Sequence, residues 1–132
     1  MGKKILKNID HIGIVTSDIK NIGNIVKLLE LEFITKGKSC GAKCVFYKSK
    51  GPMIEFIEPI TNESIKKFIQ KYGDNKLHHV AFKVDNLKEA IAHFKRIGQL
   101  ITFEDEKSAD GKSKIAFLHP KTTGGTLIEL VQ

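Results

Sequence analysis

The sequence predicts an α+β fold in which two βαβββ modules form a curled, mostly antiparallel sheet around a metal-binding cleft. The main observation behind this is an internal repeat. An offset of 68 residues sets His79 over His11 and aligns similar residues, and an offset of 74 sets Glu129 over Glu55. The residues aligned after the histidines are Ile12 with Val80, Gly13 with Ala81, Asp18 with Asn86 and Lys20 with Lys88. A chain organised in this way is expected to use one module twice.

The second observation is that each module carries a histidine on its first predicted strand and a glutamate on its last. Alternate side chains of a strand share a face, so Glu55 lies with the aliphatic Met53 and Ile57. A carboxylate among aliphatic side chains is costly to bury unless a positive charge pairs with it. Two histidines and two glutamates at equivalent positions can neutralise one another around a cation. The sequence therefore predicts one divalent metal ion per chain, bound by His11, Glu55, His79 and Glu129.

The elements of the first module follow from hydrophobic periodicity and from helix start and stop signals. Alternation predicts a strand over residues 8–16, and Asp18 is the predicted N-cap of an amphipathic helix over residues 18–30. Thr61 or Asn62 can begin a second helix, which ends near Gly73. The remaining predicted elements are a short strand over 32–36, a loop over 37–41 and a hairpin of strands over 43–48 and 53–58.

The second module repeats this order. A strand over 77–84 precedes a helix in which Asn86 and Glu89 form a capping-box-like start and Gly98 marks the end. We predict a short strand over 100–103, a mobile polar loop over 104–113 and a final hairpin of strands over 114–119 and 126–131. The modules cover about residues 5–73 and 76–132 of a single domain spanning 1–132, with the helices outside the curled sheet.

Composition narrows the classes of partner. The formal net charge is +7 and the pI is about 9.4, but Arg96 is the only arginine and no basic run is interleaved with aromatic residues. We therefore expect no nucleic acid, and either a small anionic substrate or simple lysine-rich solubility accounts for the charge. No apolar run approaches the ~20 residues of a membrane span, so we expect no membrane partner. The N-terminus lacks the apolar stretch of a signal peptide, which favours a cytoplasmic location. Cys40 and Cys44 are too few for a disulfide framework and are expected to be free thiols.

Three stretches resemble the methylmalonyl-CoA epimerase family of the vicinal-oxygen-chelate superfamily, which also contains glyoxalase I, extradiol dioxygenases and bleomycin-resistance proteins. They are residues 10–14 (DHIGI), residues 78–82 (HHVAF, followed by Asp85 and Asn86) and residues 115–132 (IAFLHPKTTGGTLIELVQ). Carried over by position, the family's metal ligands fall on His11, Glu55, His79 and Glu129, and some members have Gln at the second of these positions. The sequence departs from the family in Leu29-Glu30-Leu31, where Leu-Gly-Leu is customary.

The resemblance implies epimerisation of methylmalonyl-CoA, by α-proton abstraction through a metal-stabilised enolate, in a homodimer. Glu129 is the implied base, Lys114 and Lys121 are expected to hold the coenzyme A phosphates, and an N2O2 site suits Co2+, Ni2+, Mn2+ or Zn2+. Some epimerases place a second carboxylate on the third strand, where this chain has Cys44 or a neighbour, so the second acid/base group stays open. The alternatives are a lactoylglutathione lyase (glyoxalase I) acting on a thiol hemithioacetal, an iron dioxygenase, and a metal-free binding protein.

Overall fold

The fold is built on one eight-stranded sheet that is accompanied by three helices. A computed structural model describes residues 4–132. Its strands are β1 Leu6–Val15, β2 Glu32–Ser39, β3 Ala42–Lys48, β4 Met53–Pro59, β5 Lys76–Val84, β6 Ile101–Lys107, β7 Lys114–Leu118 and β8 Ile128–Val131. The helices are α1 Gly23–Leu28, α2 Glu63–Tyr72 and α3 Leu87–Arg96, with 3-10 segments at Ile19–Ile22 and Pro120–Thr122. None of the helices within residues 4–132 has the length and apolar character needed to cross a membrane.

The two halves of the sheet have the same connectivity, which confirms the predicted α+β fold class. The strand order is β2-β3-β4-β1-β5-β8-β7-β6. In each half the first strand pairs in parallel with the last, as β1 does with β4 and β5 does with β8, and the other pairings are antiparallel. An antiparallel pairing of β1 with β5 joins the halves. The first and last strands of both modules are therefore the four central strands of the sheet.

The outer ends of the sheet approach each other, so the sheet curls around a cleft. Ser39 Oγ on β2 donates a hydrogen bond to the carbonyl oxygen of Lys107 on β6, at 2.6 Å. A Cβ atom at Gly37 would lie 2.0 Å from the carbonyl oxygen of Ala109, so only glycine allows this approach. Ala109, from the second module, packs in a buried apolar cluster with Val15 of the first.

This closure explains why two predicted loops are partly wrong. Residues 37–39 continue β2, and residues 104–107 continue β6, where Phe103 and Asp105 adopt positive φ angles and the register with β7 shifts. The polar composition of both segments predicted loops because their strand structure depends on contacts between distant parts of the chain. The last strand begins at Ile128 instead of residue 126.

The first helix is also shorter than predicted. The Asp18 side chain caps the segment by accepting a hydrogen bond from Lys20 N at 2.9 Å, but the cap starts a 3-10 turn, and α1 has only six residues. Residues 18–30 were predicted to form one amphipathic helix, yet no residue of α1 is buried. Gly23 and the flanking asparagines have low helix propensity, so without a buried face a longer helix has little to stabilise it.

The other two helices begin where predicted, but only α3 lies outside the curled sheet. Asn86 Oδ1 accepts from Glu89 N at 3.0 Å, and the buried face of α3 packs against Leu118 and Leu130, which do not line the cleft. Asn62 caps α2 through Ile65 N at 2.9 Å. The apolar face of α2 lines the cleft, so the prediction that all helices lie outside is wrong for α2. The lining residues of α2 are Ser64, Ile65, Phe68 and Tyr72.

Candidate metal centre

The four residues predicted as ligands lie together on the four central strands. One donor atom from each of His11, Glu55, His79 and Glu129 lies within 4.8 Å of the others. His79 Nε2 is 3.3 Å from Glu55 Oε1 and 3.1 Å from Glu129 Oε1, and His11 Nε2 is 3.2 Å from His79 Nε2. The repeat offsets thus predicted side chains that meet although they come from distant parts of the chain.

The chemistry of these donors fits a divalent cation. All four residues are buried, with relative exposures of 2–6%. Glu55 Oε1 lies 3.3–3.4 Å from both histidine Nε2 atoms, yet no hydrogen bond of acceptable geometry reaches it. A buried carboxylate oxygen without a partner is costly, and a cation between the four groups would supply one. Two imidazoles and two carboxylates are ligands that the transition metals and zinc accept.

Two matching irregularities of the sheet bring a second contact to each histidine. In the β1–β5 register Ile9 pairs with Phe82 and His11 with Ala81, which leaves Asp10 as an extra residue on β1. On β5, His78 is left over in the same way. Bulges of this kind re-aim side chains near functional sites. Asp10 Oδ2 lies 2.7 Å from His11 Nδ1, and His78 Nδ1 lies 2.9 Å from His79 Nδ1.

The sequence did not single out these two contacts, because strict alternation places Asp10 and His78 on the opposite face from the histidines that follow them. The signal that could have found them is the repeat itself. The offset of 68 residues that pairs His11 with His79 also pairs Asp10 with His78. Side chains that hydrogen-bond the second nitrogen of a metal-binding histidine fix its tautomer and ring orientation.

The buried charges shift the pKa values of all four residues. Burial alone would lower the pKa of His11, but the carboxylates around it, Asp10 first, outweigh burial and raise the pKa to about 12. Burial is likewise outweighed at His79, where Glu129 and Glu55 raise the pKa to about 9. Burial would raise the pKa values of the two glutamates, but the facing histidines hold both well below the usual range. Without a metal ion, two imidazolium groups therefore face two carboxylates.

Metal binding is expected to release about two protons per ion at neutral pH, because a ligating imidazole nitrogen must be deprotonated. The affinity should then rise about 100-fold per pH unit between about pH 6 and pH 8, since each released proton contributes about tenfold. Calorimetric titration in buffers of different ionisation enthalpy measures both quantities. An affinity that stays constant over this range would contradict the protonated state of the two histidines.

The same pKa shifts make the stability of the metal-free protein fall as pH rises, whereas the metal affinity rises. A histidine whose pKa is raised on folding stabilises the fold below its unfolded value of about 6.5. The contribution of His79 should be lost as pH rises through about 9. Melting temperatures of the metal-free protein should therefore fall as the pH rises from about 6.5 through about 9.

A small residue faces each histidine across the β1–β5 pair. Ala81 is in register with His11, and Gly13 is in register with His79. A Cβ atom at Gly13 would lie 2.3 Å from His79 Cε1 and 2.5 Å from its Nδ1, distances that real contacts do not reach. Gly13 therefore leaves the space in which the imidazole of His79 sits.

Gly13→Ala should weaken metal binding although no ligand is replaced, because the new methyl group displaces the His79 ring. We expect a loss of affinity of about 10- to 100-fold, the usual scale for disturbing a ligand's supporting contacts. Chelator competition measures it. Gly23→Ala is the matched control, because nothing lies within 4 Å of a Cβ atom there. Equal affinities for the two variants would contradict the steric argument.

The candidate centre lies at the base of a cleft of about 460 Å³. Glu55, His79 and Glu129 line it, whereas His11 is buried and is not a lining residue. Much of the remaining lining is apolar or aromatic, including Ile57, Ile115, Phe117 and Leu127. An apolar cleft with a few convergent polar groups is the usual form of a small-molecule site.

Both cysteines lie beside this cleft as free thiols. Burial and the neighbouring Glu55 raise the pKa of Cys44, so its thiol stays protonated at neutral pH. The third strand, β3, contains no carboxylate and contributes Ala42 and Cys44 to the cleft.

The two lysines predicted to hold phosphates do not line the cleft. Lys121 follows Pro120, a lining residue, and its backbone N donates to His119 Nδ1 at 3.0 Å. The ammonium group of Lys114 donates to the carbonyl oxygen of Asp105 at 3.3 Å. Lys121 is thus at the rim of the cleft, and Lys114 is committed to a backbone partner.

The sequence profile of the Glyoxalase/Bleomycin resistance protein/Dioxygenase superfamily matches residues 10–117. The chain belongs to this superfamily. The matched range includes the second part of β1, all of β5 and three of the four residues at the candidate centre.

The relatives of this chain include a protein named as uncharacterized and proteins named as methylmalonyl-CoA epimerases. The uncharacterized protein YqjC of Bacillus subtilis is 33% identical over 132 residues, covering 96% of this chain and 93% of that protein. The mitochondrial methylmalonyl-CoA epimerase of Homo sapiens is 27% identical over 131 residues, covering 96% of this chain and 74% of the human protein.

A solved structure supports the same relationship. A variant of methylmalonyl-CoA epimerase from Streptomyces coelicolor, in complex with 2-nitronate-propionyl-CoA, superposes with a TM-score of 0.87 at 26% identity and covers 96% of this chain and 94% of that chain. Together these relatives confirm the predicted resemblance to methylmalonyl-CoA epimerases, which are isomerases.

Proposed function

We propose that this protein is a metal-dependent methylmalonyl-CoA epimerase. The observation that carries the proposal is the convergence of two histidines and two glutamates, all buried, at the base of a largely apolar cleft. An acyl group bearing a carboxylate and a thioester carbonyl presents two oxygens to such a centre. The human and Streptomyces coelicolor epimerases each align with 96% of this chain.

In this proposal His11, Glu55, His79 and Glu129 hold one divalent ion per chain, with Co2+, Ni2+, Mn2+ and Zn2+ as candidates. When bound, the ion would act as a Lewis acid that lowers the energy of negative charge on the thioester oxygen. Because the centre takes one histidine and one glutamate from each module, we propose that residues 1–132 act as one domain.

Glu129 is the proposed base. It lines the cleft and carries two oxygens, so one oxygen can remain a ligand while the other accepts the α-proton. Its low pKa keeps it ionised at neutral pH, because the facing histidines outweigh burial. With no carboxylate on β3, the return of a proton to the opposite face must use another group in the cleft or water.

Lys121 is proposed to contact a phosphate of coenzyme A from the rim, and Lys114 would do so after exchanging its partner at Asp105. Lys121→Ala should raise the apparent KM several-fold with kcat little changed, because contacts with the remote part of a substrate stabilise ground and transition states alike. Steady-state kinetics at two ionic strengths measure this. A fall in kcat at unchanged KM would contradict a phosphate-binding role.

We also propose a homodimer that works in the cytoplasm. Support for the dimer comes from Leu28, Leu29 and Phe33, whose relative exposures are 79%, 55% and 58%. Exposed apolar side chains that are close in sequence can mark a surface that another chain covers. Sedimentation equilibrium of the wild-type protein and of Phe33→Glu tests whether such a surface holds a dimer together.

The activity is tested by solvent-deuterium exchange at the α-carbon of methylmalonyl-CoA. We expect exchange and inversion with the metal-loaded protein and neither with chelator-treated protein. The glutathione hemithioacetal of methylglyoxal is the second substrate in the same assay. Turnover of the hemithioacetal, with no exchange on methylmalonyl-CoA, would contradict the epimerase assignment in favour of a lactoylglutathione lyase.

A further inference from the structure

The two histidines of the centre have different partners at Nδ1. His11 faces a carboxylate, Asp10, which also lies 4.0 Å from the ammonium group of Lys83. His79 faces another imidazole, that of His78, at 2.9 Å between the Nδ1 atoms. His78 lines the cleft, whereas Asp10 does not. The repeat therefore supplies equivalent bulges on both strands. Only the bulge on β5 carries an imidazole, that of His78, which can accept a hydrogen bond at one nitrogen and donate one from the other.

The short contact between two Nδ1 atoms fixes which ring carries the hydrogen. Nε2 of His79 points to the centre, because it lies 3.1–3.3 Å from the carboxylates of Glu129 and Glu55. When Nε2 is a ligand, the only hydrogen on the ring nitrogens of His79 is on Nδ1. His79 must then donate, and His78 Nδ1 must accept.

Because His78 Nδ1 accepts a hydrogen bond, Nε2 of the same ring must carry the hydrogen. A neutral imidazole has one donor and one acceptor nitrogen. If Nδ1 accepts, the hydrogen of His78 is on Nε2, and this N–H is not used by the contact with His79. The ring is held edge-on against Phe68 of α2, with centroids 5.0 Å apart, so its orientation is constrained on both sides.

We propose that His78 positions His79 through Nδ1 and donates a hydrogen bond from Nε2–H to the substrate's carboxylate in the cleft. This inference rests on the proposed function, since it assigns the donor to a malonyl-type acyl thioester. In the proposed function one oxygen of this carboxylate faces the metal centre, and its second oxygen, in a largely apolar cleft, needs hydrogen-bond donors. Among residues 4–132, those lining the cleft include no lysine or arginine, so neutral N–H and O–H groups must supply them.

Two substitutions separate the two contacts. In His78→Asn the amide oxygen can replace Nδ1 as acceptor, but the side chain is too short to reach the position of Nε2. In His78→Gln the amide N–H can replace Nε2–H, but no acceptor remains near His79 Nδ1. His93→Gln, on α3 and outside the cleft lining, is the matched control.

Each variant is measured twice, as purified protein. Chelator competition gives the affinity for Co2+, and calorimetry of the Co2+-loaded protein gives the ratio of dissociation constants for malonyl-CoA and propionyl-CoA, which differ by the carboxylate. We expect His78→Gln to weaken Co2+ binding about 10- to 100-fold and to keep the ratio. We expect His78→Asn to keep the Co2+ affinity within about threefold and to lower the preference for malonyl-CoA about tenfold or more.

The proposal is overturned if both variants change the Co2+ affinity and the thioester ratio alike, because that result indicates a packing role for His78. It is also overturned if neither variant differs from His93→Gln. Wild-type protein that binds neither thioester would refute the proposed function and the Nε2 contact with it. The Nδ1 contact is still decided in that case, because Co2+ affinity is measured without any thioester.

Discussion

His79→Ala should abolish binding of the divalent ion at micromolar metal, with a loss of affinity above about 100-fold. Disturbing a ligand's supporting contacts already costs about 10- to 100-fold, and this change removes the ligand itself. The metal-free variant should also be less stable, by about 3–5 kcal/mol, because two buried carboxylates lose one of the two cations that face them. Metal content after dialysis and denaturant unfolding measure the two effects.

His93→Ala is the matched control. His93 is on α3, outside the cleft lining, and it contacts Phe94 rather than the centre. We expect unchanged metal content for this variant. Full metal occupancy in His79→Ala would show that the four residues do not form the binding site.

Glu129→Gln should reduce α-proton exchange on methylmalonyl-CoA by about 100- to 10,000-fold, the range over which a positioned general base acts. Glutamine keeps an oxygen for the metal but cannot accept the proton. Substrate affinity should therefore change by no more than about tenfold. Exchange rates and calorimetric affinities for the same preparation separate loss of the base from loss of binding.

Glu55→Gln is the control for this change, since it makes the same substitution at the repeat-related position. Glutamine keeps a carbonyl oxygen for the metal there, and no proton transfer is assigned to Glu55, so metal binding and most of the exchange should survive. If Glu55→Gln removed exchange as fully as Glu129→Gln, the two glutamates would not have the distinct roles that we assign.

The sequence predicted that these four side chains lie together because the repeat carries its information in residue types. One histidine and one glutamate per module, at offsets of 68 and 74 residues, identified four side chains that lie within 4.8 Å of one another. The hydrophobic pattern predicted the β-strands on which they lie. Parallel pairing of the first and last strands of each module then brings the histidine and glutamate of that module together.

Strict alternation could not predict the surroundings of the two histidines. The bulges at Asp10 and His78 break the period of two and bring both side chains to the Nδ1 atoms of the following histidines. The close approach of Gly13 to His79 depends on the register between β1 and β5, which the sequence of either strand alone does not determine.

Contacts between distant segments also explain the errors in the outer parts of the sheet. The ends of β2 and β6 look like polar loops, but the hydrogen bond between Ser39 and Lys107 joins them across the cleft. The apolar stripe of α2 correctly predicted a helix, but the predicted position outside the sheet was wrong. A stripe shows that one face of a helix is buried, but it does not show which surface covers that face.

Anomalous diffraction from crystals of the Co2+-loaded protein tests the central claim most directly. We predict one anomalous peak per chain, about 2.0–2.3 Å from a nitrogen or oxygen of each of His11, Glu55, His79 and Glu129. A peak that lies elsewhere, or that contacts only two of these side chains, would contradict the proposed metal centre and the chemistry derived from it.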